Sequence, residues 1–398
     1  MKEAVFPNAS RQKQEKQPVP SPSTSPEAQN RQGEESKRML PVATPISIEV
    51  ASDLIPFVEK AGRGREFLRT MVPTMRDGLF HELGVRIPGI RVRGNEMDMP
   101  HGNYSIMINE VPVVTGSVDV NKILVKATTE ELQALEIEGE HAVNPSTGQE
   151  CFWVGAKHQE QIESSELTNW DAPGYITLHL ASVLRKNVAK FVGIQEVANM
   201  LEKLGVHFPA LVEETVPKIM DLADLTEILQ ALLHEEISIR DLRGILETLA
   251  RKARTEKVTH LLAEYVRWDL KAYISHKYTR GRDTLRVFTL SEQLENIFSK
   301  ALRKDYTGVY LHFSQDKTRA ILAAVKAKLE EFERTSSCQP VILTTSKNRR
   351  YVRKLVEIEH PNLAVISYQE LDPQQLIEIV DRIELGKKAD EQPPETVH

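Results

Sequence analysis

Only two cysteines, Cys151 and Cys338, occur in 398 residues, far apart and outside any CxxC spacing. That argues against a disulfide framework or a zinc site and fits a reducing compartment. No apolar run reaches the roughly eighteen residues of a membrane-spanning helix. The N-terminus, MKEAVFPNASRQKQEKQ, is polar where a signal peptide would be apolar. Charge of one sign is lacking too: the net charge is −6, which gives no global field to draw nucleic acid or an anionic membrane. The chain as given is expected to be soluble and cytoplasmic.

Catalytic signatures are equally scarce. No GxxxxGK(S/T) cradle is present, and AGRGREF has two glycines without the third or a clear preceding strand. No GxSxG surrounds a serine, and the twelve histidines form no HExxH or HxxxH pair, so no metal site and no cofactor is expected. His179 lies in an amphipathic stretch and reads as a hydrogen-bonded structural histidine. The loop TTSKNRR sets Lys347, Arg349 and Arg350 at a helix start, where a phosphate can sit, yet no glycine lets it approach the backbone. A helix-turn-helix reading of LTEILQALLHEE-ISIRDLRGILETLA fails on Asp241, Glu247, Glu235 and Glu236, which would repel phosphates, so no nucleic acid is expected.

What is present is an ordinary globular balance, 40% hydrophobic and 27% charged, spread over enough chain for two to four domains. Residues 1–44 contain QPVPSPSTSPEAQN and read as a flexible linker. A first α+β subdomain is expected over 45–122 and 172–190: strand PISIEV, a helix over 65–83 with Pro73 as its kink and Gly84 as its cap, then extended IRVRGN and YSIMINEVPVVTGSV. Residues 123–171 read as a small insert of short strands and turns. Residues 191–271 are wholly helical in pattern, with Gly205 placed as a C-cap. From 272 to 386 strand and helix alternate through PQQLIEIVDRIEL, read as the last helix. This implies a mainly parallel sheet with covering helices, followed by a polar tail at 387–398. The expected class is therefore multi-subdomain α+β and α/β.

Within the helical part, ISIRDLRGILETLA (237–250) crowds two arginines and two acids into a few turns. Ser238 is the expected N-cap, with Asp241 answering the first free amides. Ile239, Leu242, Ile245, Leu246 and Leu249 form one apolar stripe, and Arg243 and Glu247 pair four residues apart on the outer face. By itself this is a capped helix with a solvated face.

Taken together, FVGIQEVANMLEKL, FPALVEETVPKIMDLADLTEILQALLHEE and ISIRDLRGILETLA resemble the matching block of the FlhA/LcrD/InvA (SctV) export-gate family of type III secretion systems. The upstream segments PISIEVASDLIPFVEKA, RIPGIRVRGN, NYSIMINEV and AVNPSTGQECFWV do so as well. GNEMDMPHGNY and FVGIQEV lean toward the virulence (injectisome) branch. The resemblance covers about residues 38–290 closely and the last part by architecture.

The resemblance implies a linker and the cytoplasmic portion of an inner-membrane protein, touching the membrane only through an N-terminal domain outside this chain. It implies a second subdomain inserted in the first, a helical third and an α/β fourth. It implies no enzyme but a homo-oligomeric ring, typically a nonamer, that docks chaperone–substrate complexes, the gatekeeper protein and the secretion ATPase stalk and passes substrates to a pore. Gln195, Glu196, Arg240, Asp241 and Arg243 then become candidates for the ring seam, and Met39 and Leu40 for linker contact with a neighbour. In flagellar members an aromatic residue in the segment matching VNPSTGQECFW is central to chaperone binding. Thr147 stands there instead, beside Asn144, with Tyr175 and Leu178 expected on the groove's other wall. A phosphate- or nucleotide-dependent regulatory enzyme built on the α/β part is the alternative.

Overall fold

The computed structural model describes residues 43–58, 66–95, 99–279, 282–305, 308–333 and 340–385. The linker-contact candidates Met39 and Leu40 lie outside them. Strand β1 (Ile46–Ala51) enters with Ile46, Ile48 and Val50 fully buried. A π-helical stretch, Phe67–Met71, runs into helix α1 (Val72–Leu83). Pro73 therefore falls at the junction of the two, where its missing N–H interrupts the ladder as the π-helical stretch passes into α1. Gly84 closes α1 in the left-handed region at φ 82°, and its amide returns to the Phe80 carbonyl.

β2 (Ile90–Asn95), β3 (Asn103–Ile108) and β4 (Val111–Ser117) complete a sheet in the order β2-β1-β3-β4. β1 and β2 are parallel; the other pairs are antiparallel. A second, antiparallel sheet follows from β5 (Lys122–Val125), β6 (Glu140–Val143), β7 (Glu150–Gly155) and β8 (Asn169–Trp170), in the order β6-β7-β5-β8. It also carries two short helices, α2 (Thr129–Ala134) and α3 (Gln159–Ser164), where the turn-rich sequence suggested strands alone. Thr128 and Glu131 form a capping box at the start of α2. This insert has its own small core, built from Ile123, Val125, Leu132, Phe152, Val154 and Ile162.

α4 (Ala172–Lys186), capped by Asp171 on the Gly174 amide at 3.0 Å, brings the chain back to the first sheet and buries Ile176, Leu180 and Leu184. The helical block follows: α5 (Ile194–Gly205), α6 (Pro209–Thr215), α7 (Leu222–His234), α8 (Leu242–Lys252), α9 (Thr259–Asp269) and α10 (Lys271–Thr279). Its apolar faces share one continuous core with the first sheet. Gly205 is not a left-handed cap. It is the last residue of α5, and the chain turns at Val206.

The C-terminal part holds β9 (Thr284–Leu290), α11 (Glu292–Ala301), a hairpin of β10 (Leu302–Asp305) and β11 (Gly308–Leu311), and α12 (Gln315–Glu333). Then come β12 (Val341–Thr344), α13 (Ser346–Val356), β13 (Ala364–Ser367) and β14 (Leu376–Ile383). The sheet order β13-β12-β9-β14 is parallel throughout. Successive β9 residues face opposite ways: Leu285 and Val287 join the main core, while Phe288 and Leu290 join a second core beneath the covering helices. The expected terminal helix over 373–385 is overturned. Backbone pairing with β9 makes LIEIVDRI an edge strand, with a register shift between Ile379 and Asp381. No helix among the described residues is long and apolar enough to cross a membrane.

Candidate interaction surfaces

The opening of α8 is capped differently from the sequence expectation. Asp241 is the N-cap and accepts the Gly244 amide at 3.0 Å, whereas Ser238 is buried and accepts the Arg240 amide at 3.3 Å. All five residues of the apolar stripe are buried. Arg243 pairs with Glu247 at 2.9 Å, and its guanidinium lies 4.7 Å from the centre of the Phe208 ring. Arg240 does more than decorate the face. It donates to the His81 carbonyl at 2.7 Å, at the C-terminal end of α1, while the Ile239 amide donates to Leu83 at 3.0 Å. A Cβ on Gly84 would come within 2.8 Å of the Arg240 Cγ, so this cap and Arg240 fit only through a bare glycine.

Gln195 and Glu196 sit exposed on the first turn of α5, beside Ile194, which is 56% exposed. Gln195 donates to Asn199 at 3.0 Å, and the Glu196 carboxylate accepts the Gly193 amide at 3.0 Å. The five seam candidates thus lie at the N-terminal ends of α5 and α8. Three of them, Glu196, Arg240 and Asp241, also close backbone groups within the chain.

Asn144 and Thr147 belong to the turn after β6. The buried Asn144 side chain accepts the Ser146 and Thr147 amides at 2.9 and 3.2 Å, and Gly148 takes φ 72°. This turn walls a cleft of about 770 Å³ whose other sides come from α4, the α7–α8 turn, α10 and the segment 361–364. Tyr175 and Leu178 lie on α4 outside that cleft's lining. Tyr175 stacks edge-on against Trp153 of the insert, with ring centres 4.8 Å apart. His179 is structural: the Tyr104 hydroxyl lies 2.7 Å from its Nδ1, and burial pushes its pKa down.

Arg349 and Glu235, weighed in the sequence only as surface charges, belong to a buried ionic network that sequence reasoning missed. With Glu264, Arg267 and Glu370 they form it between the helical block and the parallel sheet. Arg349 on α13 donates to Glu235 at 2.6 and 3.0 Å and to Glu264 on α9 at 2.7 Å, with a second contact to Glu264. Arg267 on α9 reaches Glu370 at 2.5 Å and Glu235 at 3.2 Å. The excess carboxylate is met by Ser367, whose amide and hydroxyl donate to Glu370 at 3.0 and 2.8 Å. Burial alone would raise the Glu235 carboxyl, but the two guanidiniums outweigh it and hold it down to about 2. One signal was available: Arg267 stands four residues after buried Ala263, on the inward face of α9.

The same geometry bears on the anion site at TTSKNRR, which the sequence already disfavoured. Arg349 points into this network rather than to the start of α13. Glu295 of α11 occupies that start, accepting the Thr344 hydroxyl at 2.5 Å, the Thr345 amide at 3.1 Å and the Asn348 side-chain amide at 2.5 Å. A resident carboxylate thus already holds the Thr345 amide and the neighbouring side-chain donors at the place a phosphate would take.

An α+β sheet with an insert, a helical block and a parallel sheet define a multi-part scaffold, in which the two sheets and the helical block share one apolar core and buried charge ties the last two together. The chain belongs to the FHIPEP family, whose model matches residues 3–375. It is 35% identical to the low calcium response locus protein D of Yersinia pestis over 342 residues, which are 86% of this chain and 47% of that protein. The chain therefore spans about half the length of the curated relatives it matches. Among solved structures it is similar to the Chlamydia pneumoniae CdsV protein, with 35% identity and TM-score 0.79, covering 87% of this chain and 99% of that one. CdsV is also solved in complex with the CdsO protein. The cryo-EM structure of nonameric EPEC SctV-C shares the fold at 24% identity and TM-score 0.71, covering 87% of this chain and 100% of that one. These likenesses support the injectisome branch.

Proposed function

We propose that this chain is the cytoplasmic portion of an injectisome export gate in the inner membrane. It assembles as a docking ring, of nine copies as SctV-C does, that receives chaperone–substrate complexes, the gatekeeper and the ATPase stalk. The observation that carries the reading is the likeness to CdsV over nearly the whole described chain, together with the CdsO complex of that protein. On this reading the sheet with β1, the insert, the helical block and the parallel-sheet part are the four subdomains. Catalysis has no part in it, and the nucleotide-dependent alternative is not favoured.

In such a ring each interface is heterologous, one face meeting a different face of the neighbour. Charged ends of α5 and α8 would set its register. Arg240 is held within the chain, so Arg243 is the clean probe of the seam. The test is Arg243→Glu compared with the parent by sedimentation at high protein concentration. Inside the monomer the change costs the Glu247 pair and the contact with Phe208 and adds a like-charge repulsion with Glu247. The favourable place of an acid in the first turn of α8 partly offsets this, leaving about 1 kcal/mol in all. A seam role predicts a parent-like melting transition with assembly lost. A variant that assembles like the parent removes Arg243 from the seam.

A further inference from the structure

The chain from Glu235 to Asp241 connects α7 to α8, and the first subdomain, the helical block and the parallel-sheet part all hold on to it. At its near end the Glu235 carboxylate is fixed by Arg349 of α13 at 2.6 Å and by Arg267 of α9 at 3.2 Å. Lys277 of α10, the helix that leads into β9, donates to the Glu236 carbonyl. Glu236 takes φ 56°, a left-handed conformation that a residue with a side chain keeps only when its surroundings fix it. The Ile237 amide closes the turn on the Leu232 carbonyl at 2.9 Å, and Ile237 and Ile239 are buried in the main core. At the far end the Ile239 amide and the Arg240 guanidinium donate to the Leu83 and His81 carbonyls of α1, at 3.0 and 2.7 Å. Asp241 then caps α8. The parallel-sheet part and the start of α8 are thus joined by one short piece of chain with no slack in it.

We propose that this connection is a lever, which carries a displacement of the parallel-sheet part to the first turn of α8 and so to the association of copies through α8. Packed, rigid elements in contact carry such coupling, whereas a slack loop would absorb it. The grip on Glu235 either holds or lets go, because a buried carboxylate cannot leave two guanidiniums without stranding charge in the interior. Coupling of this kind is reciprocal: whatever binds the parallel-sheet part and alters assembly is itself bound differently, by the same factor, once copies assemble. The consequence for assembly rests on the ring reading above, while the lever inside the monomer does not.

The experiment compares the full chain with two variants that loosen the near end, Glu235→Gln and Lys277→Met. Two others, Val325→Ala and Phe298→Ala, open the second core, leave the connection's partners in place and serve as graded controls for lost stability. Amide hydrogen exchange is read at Gly244 and Ile245, whose amides bond to the Asp241 side chain and carbonyl. Both should exchange at least fivefold faster in Glu235→Gln and Lys277→Met than in either control. Sedimentation gives the concentration at half-assembly, which should rise about tenfold in Glu235→Gln, about threefold in Lys277→Met and less than twofold in the controls. Lys277→Met keeps every carboxylate and guanidinium of the buried network, so it decides the matter if Glu235→Gln fails to fold. Exchange no faster than in the controls overturns the proposal, as does unchanged assembly where exchange has quickened. A parent that stays monomeric while the exchange shift appears supports the lever and counts against the ring, so the two failures are told apart.

Discussion

Asp241 and Ser238 show how a sequence can announce a helix start and misplace it by three residues. Both are good capping types, and Ser238 stands closer to the chain's entry into the helical pattern. Tertiary contact decides between them. The Ile239 amide is drawn to Leu83, which pulls Ser238 into the interior and leaves Asp241 at the true start of α8. Asp241→Ala should therefore lower stability by about 1 kcal/mol, and Asp241→Asn by only a few tenths, since asparagine caps as well. Urea denaturation of the three proteins checks this. Equal midpoints for parent and Asp241→Ala would mean that the Gly244 amide finds another acceptor.

Among the elements, periodicity located most of what it could locate. The strands around β1, the helix ending at Gly84 and the helical block were legible because each buries a regular stripe against one core. β14 was not. LIEIVDRI places apolar residues at both helical and alternating spacing, and its edge position leaves Leu376 and Ile379 63% and 60% exposed, so no burial pattern separated the two readings. α2 and α3 are too short, at six residues each, to show a period against surrounding turns. The start of α13 was legible as a helix but not as a site already filled, because Glu295 comes from fifty residues upstream. Glu295→Ala should leave the buried Thr344 hydroxyl without its acceptor and take one of two acceptors from the Asn348 amide, which keeps the Glu295 carbonyl at 2.9 Å, costing roughly 1–3 kcal/mol, with Glu295→Gln costing less. Thermal melting of both variants reads the order, and a shift under one degree for Glu295→Ala would show the acceptor to be dispensable.

Across the whole molecule, five charged residues from distant parts of the chain lock the parallel sheet to the helical block. Such a network adds less net stability than well-packed apolar groups would, yet breaking it leaves a charge stranded in the interior. That asymmetry gives it a signature in acid. Glu235 faces Arg267 and Arg349, with Arg353 also near and with Glu264, Glu370 and Tyr278 packed around the same arginines. Its carboxyl titrates at about 2 when folded and near 4.5 when unfolded. A depressed carboxyl stabilises the fold fully above the unfolded value, and that stability drains away as pH falls from 4.5 toward 2. The shift corresponds to on the order of 3 kcal/mol. Glu235→Gln removes the titrating group but keeps its shape, so the gap between parent and variant isolates this contribution from the general effect of acid. At pH 7 the parent should be more stable by several kcal/mol, and the gap should narrow steadily once the pH drops below about 4.5. Urea midpoints at pH 7, 5, 4 and 3 measure it. A gap that stays constant over that range would mean that the arginines do not hold Glu235 ionised.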